Sequence, residues 1–288
     1  MLGFISVYKP SGMTSNAVVQ KIKRQFKINK IGHMGTLDPM ACGILPLAVG
    51  KATRLFDYML AKTKKYIAIF DFGYETDSLD ITGNITKGNG IVPKQEDIMV
   101  AINSMIGKQM QYPPKYSAKN INGKRAYDLA RLGVDFELKP KEIEIFDFKL
   151  IEKISDIRYK FEIVCSSGTY IRSIGRDLAE KLQTYATMSF LERSEMGAFN
   201  LNNSIYLDNI LEFQKISEII LSPLQVLTNF DIINIDEKTY IDLINGKFVS
   251  FPEVKHNSFV MKNDKIIGIA KPRKNQLKID TYLEDKND

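Results

Sequence analysis

Tryptophan is absent from the 288 residues, and cysteine and histidine occur only twice each, as Cys42 and Cys165 and as His33 and His256. So few thiols make no disulfide framework, and with two histidines they offer no metal-ligand spacing; the cysteines read as buried, reduced thiols. No run of about 18 apolar residues occurs, which excludes a membrane-spanning helix. The first residues, Met1-Leu2-Gly3-Phe4-Ile5-Ser6-Val7-Tyr8-Lys9-Pro10, lack the basic lead and long apolar stretch of a signal peptide. They read as a first strand, and the chain as cytoplasmic. What is in surplus is positive charge: 40 Lys and Arg against 34 Asp and Glu, a net of +6, which points to a polyanionic partner. With 44% hydrophobic residues the chain has apolar surface for one large domain and a small one.

The stretch Gly32-His33-Met34-Gly35-Thr36-Leu37-Asp38-Pro39-Met40-Ala41-Cys42-Gly43 stands out, continued by Ile44-Leu45-Pro46-Leu47-Ala48-Val49-Gly50. Glycine and proline at this density fix turns and permit close approach of backbone or ligand. Asp38 precedes a proline, which disfavours helix, and the apolar run after Gly43 reads as a buried strand. A single carboxylate is thus presented on a stiff loop that runs into the core, a geometry suited to chemistry. An Asp-Pro in a glycine-rich loop is nonetheless more often turn chemistry than catalysis.

Elsewhere the pattern is periodic. Thr14 or Ser15 caps a helix whose apolar face is Val18, Ile22 and Phe26; the other face carries Lys21, Lys23, Arg24, Lys27 and Lys30 without an acid between, either a solvated face or a phosphate contact. A helix is expected over 53–62, an interior strand over 65–73 with Tyr66 near its start, and a helix over 96–108. Glu75, Asp77 and Asp80 read as solvated turn residues, their spacing being unlike a calcium loop. From Lys115 to Lys139 six basic residues and three acids surround Tyr116 and Tyr127, with Lys119, Lys124 and Arg125 among them. Basic and aromatic residues so interleaved suit looped RNA, charges for phosphate and rings for bases; the bland reading is a polar surface insertion. Paired strands are expected over 142–150 and 158–165, then a helix capped by Thr169 with Ile171, Ile174, Leu178 and Leu182 buried. That places Arg172 in a first helical turn, where the dipole disfavours a cation unless an anion meets it. Residues 203–227 read as helical and then loop-like. From Asn229 a short helix, a Gly246 turn and strands at 258–261, 266–270 and 276–282 follow, with Asn263-Asp264 as a hairpin turn.

Three stretches carry a resemblance. Gly32 to Gly50 with Lys51-Ala52-Thr53-Arg54 is similar to the active-site signature of the TruB-type pseudouridine synthases. Cys165-Ser166-Ser167-Gly168-Thr169-Tyr170-Ile171-Arg172 resembles that family's second signature, and Leu191-Glu192-Arg193-Ser194-Glu195-Met196-Gly197-Ala198-Phe199 its third. The resemblance implies an α+β fold with a mixed, largely antiparallel central sheet flanked by helices over residues 1–228. It further implies an RNA-clasping insertion at about 109–140 and a small β-rich PUA-like domain over 229–288. It makes Asp38 the catalytic aspartate, Arg172 its partner and Tyr66 the ring that stacks on the target base. Lys9-Pro10 resembles a motif packed beneath the catalytic loop. His33, Lys9, Lys21, Lys23, Arg24, Lys27, Lys51, Arg54, Lys115, Tyr116, Lys119, Lys124, Arg125, Leu191 and Arg193 become the candidate RNA contacts, Leu191 lining the pocket. Met34, Ser167 and Glu192 depart from the family pattern, which has a smaller or polar residue, a lysine and an arginine there.

The activity implied is conversion of uridine to pseudouridine at position 55 in the T arm of tRNA, by a monomer needing no protein partner, metal or cofactor. Nothing is oxidised and no group is lost. A carboxylate beside the sugar carbon meets the electron deficit that develops as its bond to the base breaks, as in glycosidases. The target must first be swung out of its stack, which costs a few kcal/mol. The rival readings are an RNA-guided or ribosomal RNA pseudouridine synthase, and a non-catalytic tRNA-binding chaperone. A metal-dependent hydrolase lacks the ligand spacing.

Overall fold

The computed structural model describes residues 1–60, 63–117, 120–121, 123–134, 136–251, 256–271, 273 and 275–284. In chain order the elements are β1 (Leu2–Lys9), α1 (Ser15–Gln25), β2 (Ile31–His33), β3 (Cys42–Gly50), α2 (Phe56–Leu60), β4 (Lys64–Phe72), β5 (Tyr74–Thr76), β6 (Ile85–Gly88) and α3 (Gln95–Asn103). Next come β7 (Gly107–Gln111), β8 (Asn120–Ile121), β9 (Lys124–Arg125), α4 (Ala126–Arg131), β10 (Lys141–Lys153), β11 (Arg158–Cys165), α5 (Ile171–Lys181) and β12 (Ala186–Met196). The remainder is β13 (Phe199–Asn200), β14 (Ile205–Tyr206), α6 (Leu207–Ile210), α7 (Pro223–Val226), β15 (Asp231–Asn234), α8 (Glu237–Ile244), β16 (Val249–Ser250), β17 (Ser258–Lys262), β18 (Lys265–Ala270), β19 (Gln276–Leu277) and β20 (Ile279–Tyr282).

Among the described residues ten strands make the main sheet, in the order β14-β1-β3-β12-β4-β11-β10-β7 with β2 on β3 and β13 on β12. Only β14–β1 and β3–β12 pair in parallel, so the sheet is mixed and largely antiparallel, as the sequence resemblance implied. The Leu45, Leu47, Val49, Phe70, Phe161 and Ile163 side chains lie buried in one core with the apolar faces of α1, α3 and α5. The second, smaller sheet runs β15-β17-β18-β20. Phe259, Met261, Ile269 and Leu283 on this side pack with Phe4, Ile44 and Met196 of the main sheet. Asn263 and Asp264 both have positive φ, 46° and 61°, and turn the β17–β18 hairpin as expected.

Local expectations hold where one residue type decides the geometry. Thr14 caps α1 by accepting the Ala17 N–H at 3.1 Å. The expected 96–108 helix ends at Asn103, because Gly107 (φ 107°) turns the chain into β7, which pairs with β10. The helix expected over 53–62 is a 3₁₀ turn at Lys51–Leu55 followed by the short α2. Thr169 is not the cap of α5: its hydroxyl donates to the Ser166 carbonyl at 2.9 Å, and Tyr170 holds the cap position without a side-chain bond. Residues 203–227 are short pieces, the last, α7, capped by Ser222 with Pro223 at its start.

The Asp38 loop has no regular partner strand, and its carbonyls are taken up by side chains. Ser15 Oγ donates to the Leu37 carbonyl at 3.0 Å and accepts the Leu37 N–H at 2.9 Å. Ser11 Oγ donates to Met40 O, and the Gly12 N–H to Pro39 O. Lys9 lies fully buried beneath the Asp38 loop, as its motif implied, and so is not the RNA contact it was also counted as: its ammonium donates to the carbonyls of Pro10, Met13 and Pro39 at 2.8, 2.6 and 3.3 Å. Arg193, likewise counted as an RNA contact, is 1% exposed and donates to Ile44 O at 2.7 Å and Gly35 O at 3.1 Å. Both corrections have one cause: an irregular buried backbone must find donors, and two cations supply them. Burial lowers the Lys9 ammonium to about 8.

At the β3–β12 junction Gly43 sits at φ 103°, and a β-carbon there would stand 2.4 Å from the Arg193 carbonyl oxygen. Gly43→Ala should therefore cost at least about 2 kcal/mol in urea unfolding, whereas Gly12→Ala, also at positive φ but with open space around it, should cost about 1 kcal/mol. Equal losses would show that the close approach at Gly43 contributes nothing. Lys9→Met should cost about 2–3 kcal/mol by removing the donor to the Pro10 and Met13 carbonyls, with the RNA affinity of the folded protein unchanged in filter binding.

Candidate active site

Asp38 comes to lie beside Arg172 because two loops meet at one end of the sheet. The first enters β3; the second, Ser166 to Tyr170, links β11 to α5. Gln111 fixes the second, its side-chain oxygen accepting the Tyr170 N–H at 2.8 Å and its amide donating to Tyr170 O at 3.1 Å. Arg172 then projects from the first turn of α5, 6% exposed, with Nη2 2.9 Å from Asp38 Oδ2. The cation that helix-dipole logic disfavours at that position has its anion.

The same guanidinium has three further partners. Nη2 donates to Tyr116 O at 2.9 Å, and Nη1 donates to Ser78 O at 3.0 Å and stands 3.4 Å from Asp80 Oδ2. Asp80 is therefore no solvated turn residue. It is 4% exposed, and its Oδ1 accepts from Ser78 Oγ, the Thr82 N–H and Thr82 Oγ1. Sequence reasoning missed it because its polar neighbours resemble any turn; the signal was a buried-strand end followed by two acids three residues apart. Glu75 and Asp77 are half-buried and serve the β5–β6 hairpin, Glu75 facing Lys87 and Asp77 accepting the Asn84 N–H.

A cleft of about 390 Å³ opens over this pair. Asp38 presents a side chain about one-third exposed (34%). Tyr66 on β4 and Leu191 on β12 line the cleft, 6% and 5% exposed. Phe56, unsuspected from sequence, adds a ring 38% exposed. Tyr66, Arg193 and Gly43 sit in register across β4, β12 and β3, so the phenol is set on the same level as the loop's root. Burial raises the Tyr66 hydroxyl to about 12, with Arg193 opposing. The Asp38 carboxyl is pushed above the usual carboxylate range, first by burial and then by Asp80; Arg172 pulls it back. His33 also lines the cleft; burial and Arg193 keep its imidazole neutral to lower pH than usual, and its Nδ1 has no hydrogen-bond partner among the described residues.

The other candidate contacts divide by exposure. Lys21, Arg24 and Lys27 are exposed and Lys23 half-buried along α1 and its end, and Lys115 is exposed on the insertion. Lys51 is half-buried; Arg54 is exposed, and donates to Tyr282 O at 2.7 Å. Tyr116 is half-buried, its carbonyl held by Arg172. Lys119 lies outside the described residues. Lys124 and Arg125 form β9, paired with β8.

The three departures from the family pattern each have a local partner. Met34 is 1% exposed in the cluster joining the two sheets. Glu192 accepts the Tyr8 hydroxyl at 2.6 Å, and Ser167 accepts from Lys64 Nζ at 3.1 Å. Among the described residues no group of three or more His, Cys, Asp or Glu is arranged to hold a metal.

Comparison with known proteins shows the family. Residues 23–171 match the model for the TruB family pseudouridylate synthase N-terminal domain. A tRNA pseudouridine synthase B of Clostridium novyi (strain NT) is 39% identical over 291 residues, covering 98% of this chain and 100% of the relative. One from Borreliella afzelii (strain PKo) is 38% identical over 258 residues, 89% of each chain. In fold, the chain is similar to one in a solved Cbf5-Nop10-Gar1 complex, with a TM-score of 0.75 at 22% identity over 99% of this chain and 86% of that one. With half of its length matched by the family model and nearly all of it by relatives approaching 40% identity, the chain belongs to the TruB family of pseudouridylate synthases.

Proposed function

We propose that the chain isomerises uridine to pseudouridine in tRNA, at position 55 of the T arm, with Asp38 as the carboxylate that meets the ribose. The observation carrying this reading is the 2.9 Å Arg172–Asp38 pair at the floor of a cleft that also holds Tyr66 and Leu191. The bond from C1′ to N1 breaks, the base turns, C1′ joins C5, and the proton C5 gives up is matched by one taken up at N1. Atoms and electrons balance without a co-reactant, so the chemistry asks for no cofactor. Asp38 stabilises the electron-poor sugar carbon, Arg172 keeps the carboxylate ionised and aimed, and Tyr66 and Leu191 hold the uracil. His33, at the end of β2 where the loop begins and with a ring nitrogen unpartnered among the described residues, contacts the RNA left behind when the target swings out.

Residues 1–228 act as the catalytic domain, the 109–140 insertion closes on the RNA, and 229–288 act as a PUA-like RNA-binding domain. The basic face of α1 and Lys115 meet phosphates. The protein works as a cytoplasmic monomer without a guide or partner; among the described residues no helix is long and apolar enough to cross a membrane.

Incubation with unmodified tRNA, or a bare T stem-loop transcript, in the presence of a chelator should yield pseudouridine at one position, mapped by chemical modification. Asp38→Asn should lower the rate by at least about 10³-fold while tRNA affinity stays within about twofold; a variant that keeps isomerising overturns the assignment. A second test uses pH. Asp38 acts as the anion, so activity falls as pH drops through its raised pKa, at higher pH than for an ordinary aspartate. Arg172 favours the anion. Arg172→Met should therefore move the acid limb of the single-turnover rate profile to still higher pH, and Arg172→Lys should move it less. An unmoved limb in Arg172→Met refutes the electrostatic role.

A further inference from the structure

Lys64, the first residue of β4, is a buried cation without a counter-ion among the described residues. It is 7% exposed, and among the described residues its only hydrogen-bond partner is the neutral Ser167 hydroxyl, 3.1 Å from Nζ. Its neighbour shows the contrast: Lys65 faces two carboxylates, Glu162 at 3.3 Å and Glu195 at 3.6 Å. The charged groups around Lys64 are Arg193 and Lys141, both positive, and the nearby Cys165 thiol is raised to about 11 by burial, hence neutral. Burial first, then Arg193 and Lys141, press the Lys64 ammonium down to about 8.

A second ammonium converges on the same turn. A β-carbon on Gly168, at φ 85°, would stand 2.5 Å from Lys141 Nζ. Lys141 is exposed at the start of β10 and, among the described residues, makes no ion pair. The turn between these two lysines leads into the first turn of α5, whose free N–H groups also favour an anion. Lys64, Ser167 and Gly168 line the cleft that holds Asp38. Burying a cation is costly unless a negative group offsets it, and among the described residues that group is missing.

We propose that Lys64, Lys141 and the Ser166–Thr169 turn bind one phosphodiester of the RNA strand entering the cleft, and so fix the adjacent ribose over Asp38. The inference rests on the RNA-isomerising reading above, because a phosphodiester is the anion that arrives covalently tied to a ribose. In this role Lys64 and Lys141 are positioning residues. The phosphate completes the neutralisation of a site whose acids are already committed, Asp38 and Asp80 to Arg172 and Glu162 and Glu195 to Lys65.

The test uses the full chain with a T stem-loop RNA. Lys64→Met and Lys141→Met should each raise KM about tenfold with kcat within about threefold. Each should also lower the slope of log affinity against log salt by about 0.7, the loss of one phosphate contact on a single strand. Lys64→Arg should restore most of the affinity. In a parallel series, uncharged methylphosphonates replace single linkages near the target uridine. One linkage should weaken the wild type about tenfold yet leave Lys64→Met unaffected. Lys141→Met, altered on the surface, keeps the test open if Lys64→Met fails to fold. Wild-type affinity and salt slope in Lys141→Met, with no linkage to which the wild type is sensitive, overturns the proposal. Inhibition by inorganic phosphate at constant ionic strength, with every linkage insensitive, overturns it too, since the site then belongs to the free anion. A wild type that binds this RNA but makes no pseudouridine refutes the isomerase reading, and the binding measurements alone then judge the phosphate site.

Discussion

One guanidinium ties together four segments that are far apart in the chain. Arg172 holds Asp38 from the loop before β3, Ser78 and Asp80 from the loop after β5, and Tyr116 from the insertion, while itself belonging to α5. At 6% exposure it could not be buried alone; each contact contributes to keeping the charge in the interior, and each contacted segment is held in turn. Arginine suits this place because its planar fork addresses several acceptors at fixed angles, which a lysine would not. The insertion and carboxylate, proposed to meet RNA and sugar respectively, are therefore coupled through a single side chain.

The sheet sets the stage on which that side chain works. β4, β12 and β3 run side by side with Tyr66, Arg193 and Gly43 at one level. The β3–β12 contact is close because Gly43 has no side chain to hold it open. Above it, the Asp38 loop is irregular, so its carbonyls would be orphaned in a protein interior. Lys9 and Arg193 end that problem from below. Cations that look on paper like RNA contacts are consumed by the fold, and the loop they stiffen holds its carboxylate in one orientation. Rigidity of this kind is what separates a catalytic carboxylate from an ordinary turn aspartate.

How much of this could be read in advance follows from how local each feature is. The α1 cap at Thr14, the Asn263-Asp264 hairpin and the alternation of β10 and β11 depend on neighbours a few residues away, and the sequence displays them. The Asp38–Arg172 pairing spans more than a hundred residues and was legible only through the resemblance of two motifs. β12 was not recognised as a strand; Ser189, Glu192, Arg193, Ser194 and Glu195 give it a polar look, and its polar side chains find partners in Asp71, Tyr8, Ile44 and Lys65 across the fold. Asp80 and Arg193, and Lys9 where it was counted as an RNA contact, were misread for the same reason. Whether a charged residue is surface or core depends on a partner that sequence spacing does not reveal.

The balance of forces on Asp38 explains why its partner has to be so well fixed. Free of ligand, the carboxyl is already raised by burial and by Asp80, with Arg172 working against both. An RNA strand closing over the cleft removes the remaining water from a side chain that is one-third exposed and brings phosphates of the same sign. Both changes favour the protonated acid, which the proposed chemistry cannot use. The guanidinium strengthens as water leaves, because the attraction between opposite charges grows when the surrounding dielectric falls. In the proposed arrangement, Lys64 and Lys141 beside the strand's phosphate further limit the repulsion felt by the carboxylate. In the proposed chemistry, a cleft with Arg172 but without such flanking cations would bind RNA at the expense of the anion it needs, so Lys64 and Lys141 would serve the chemistry as well as binding.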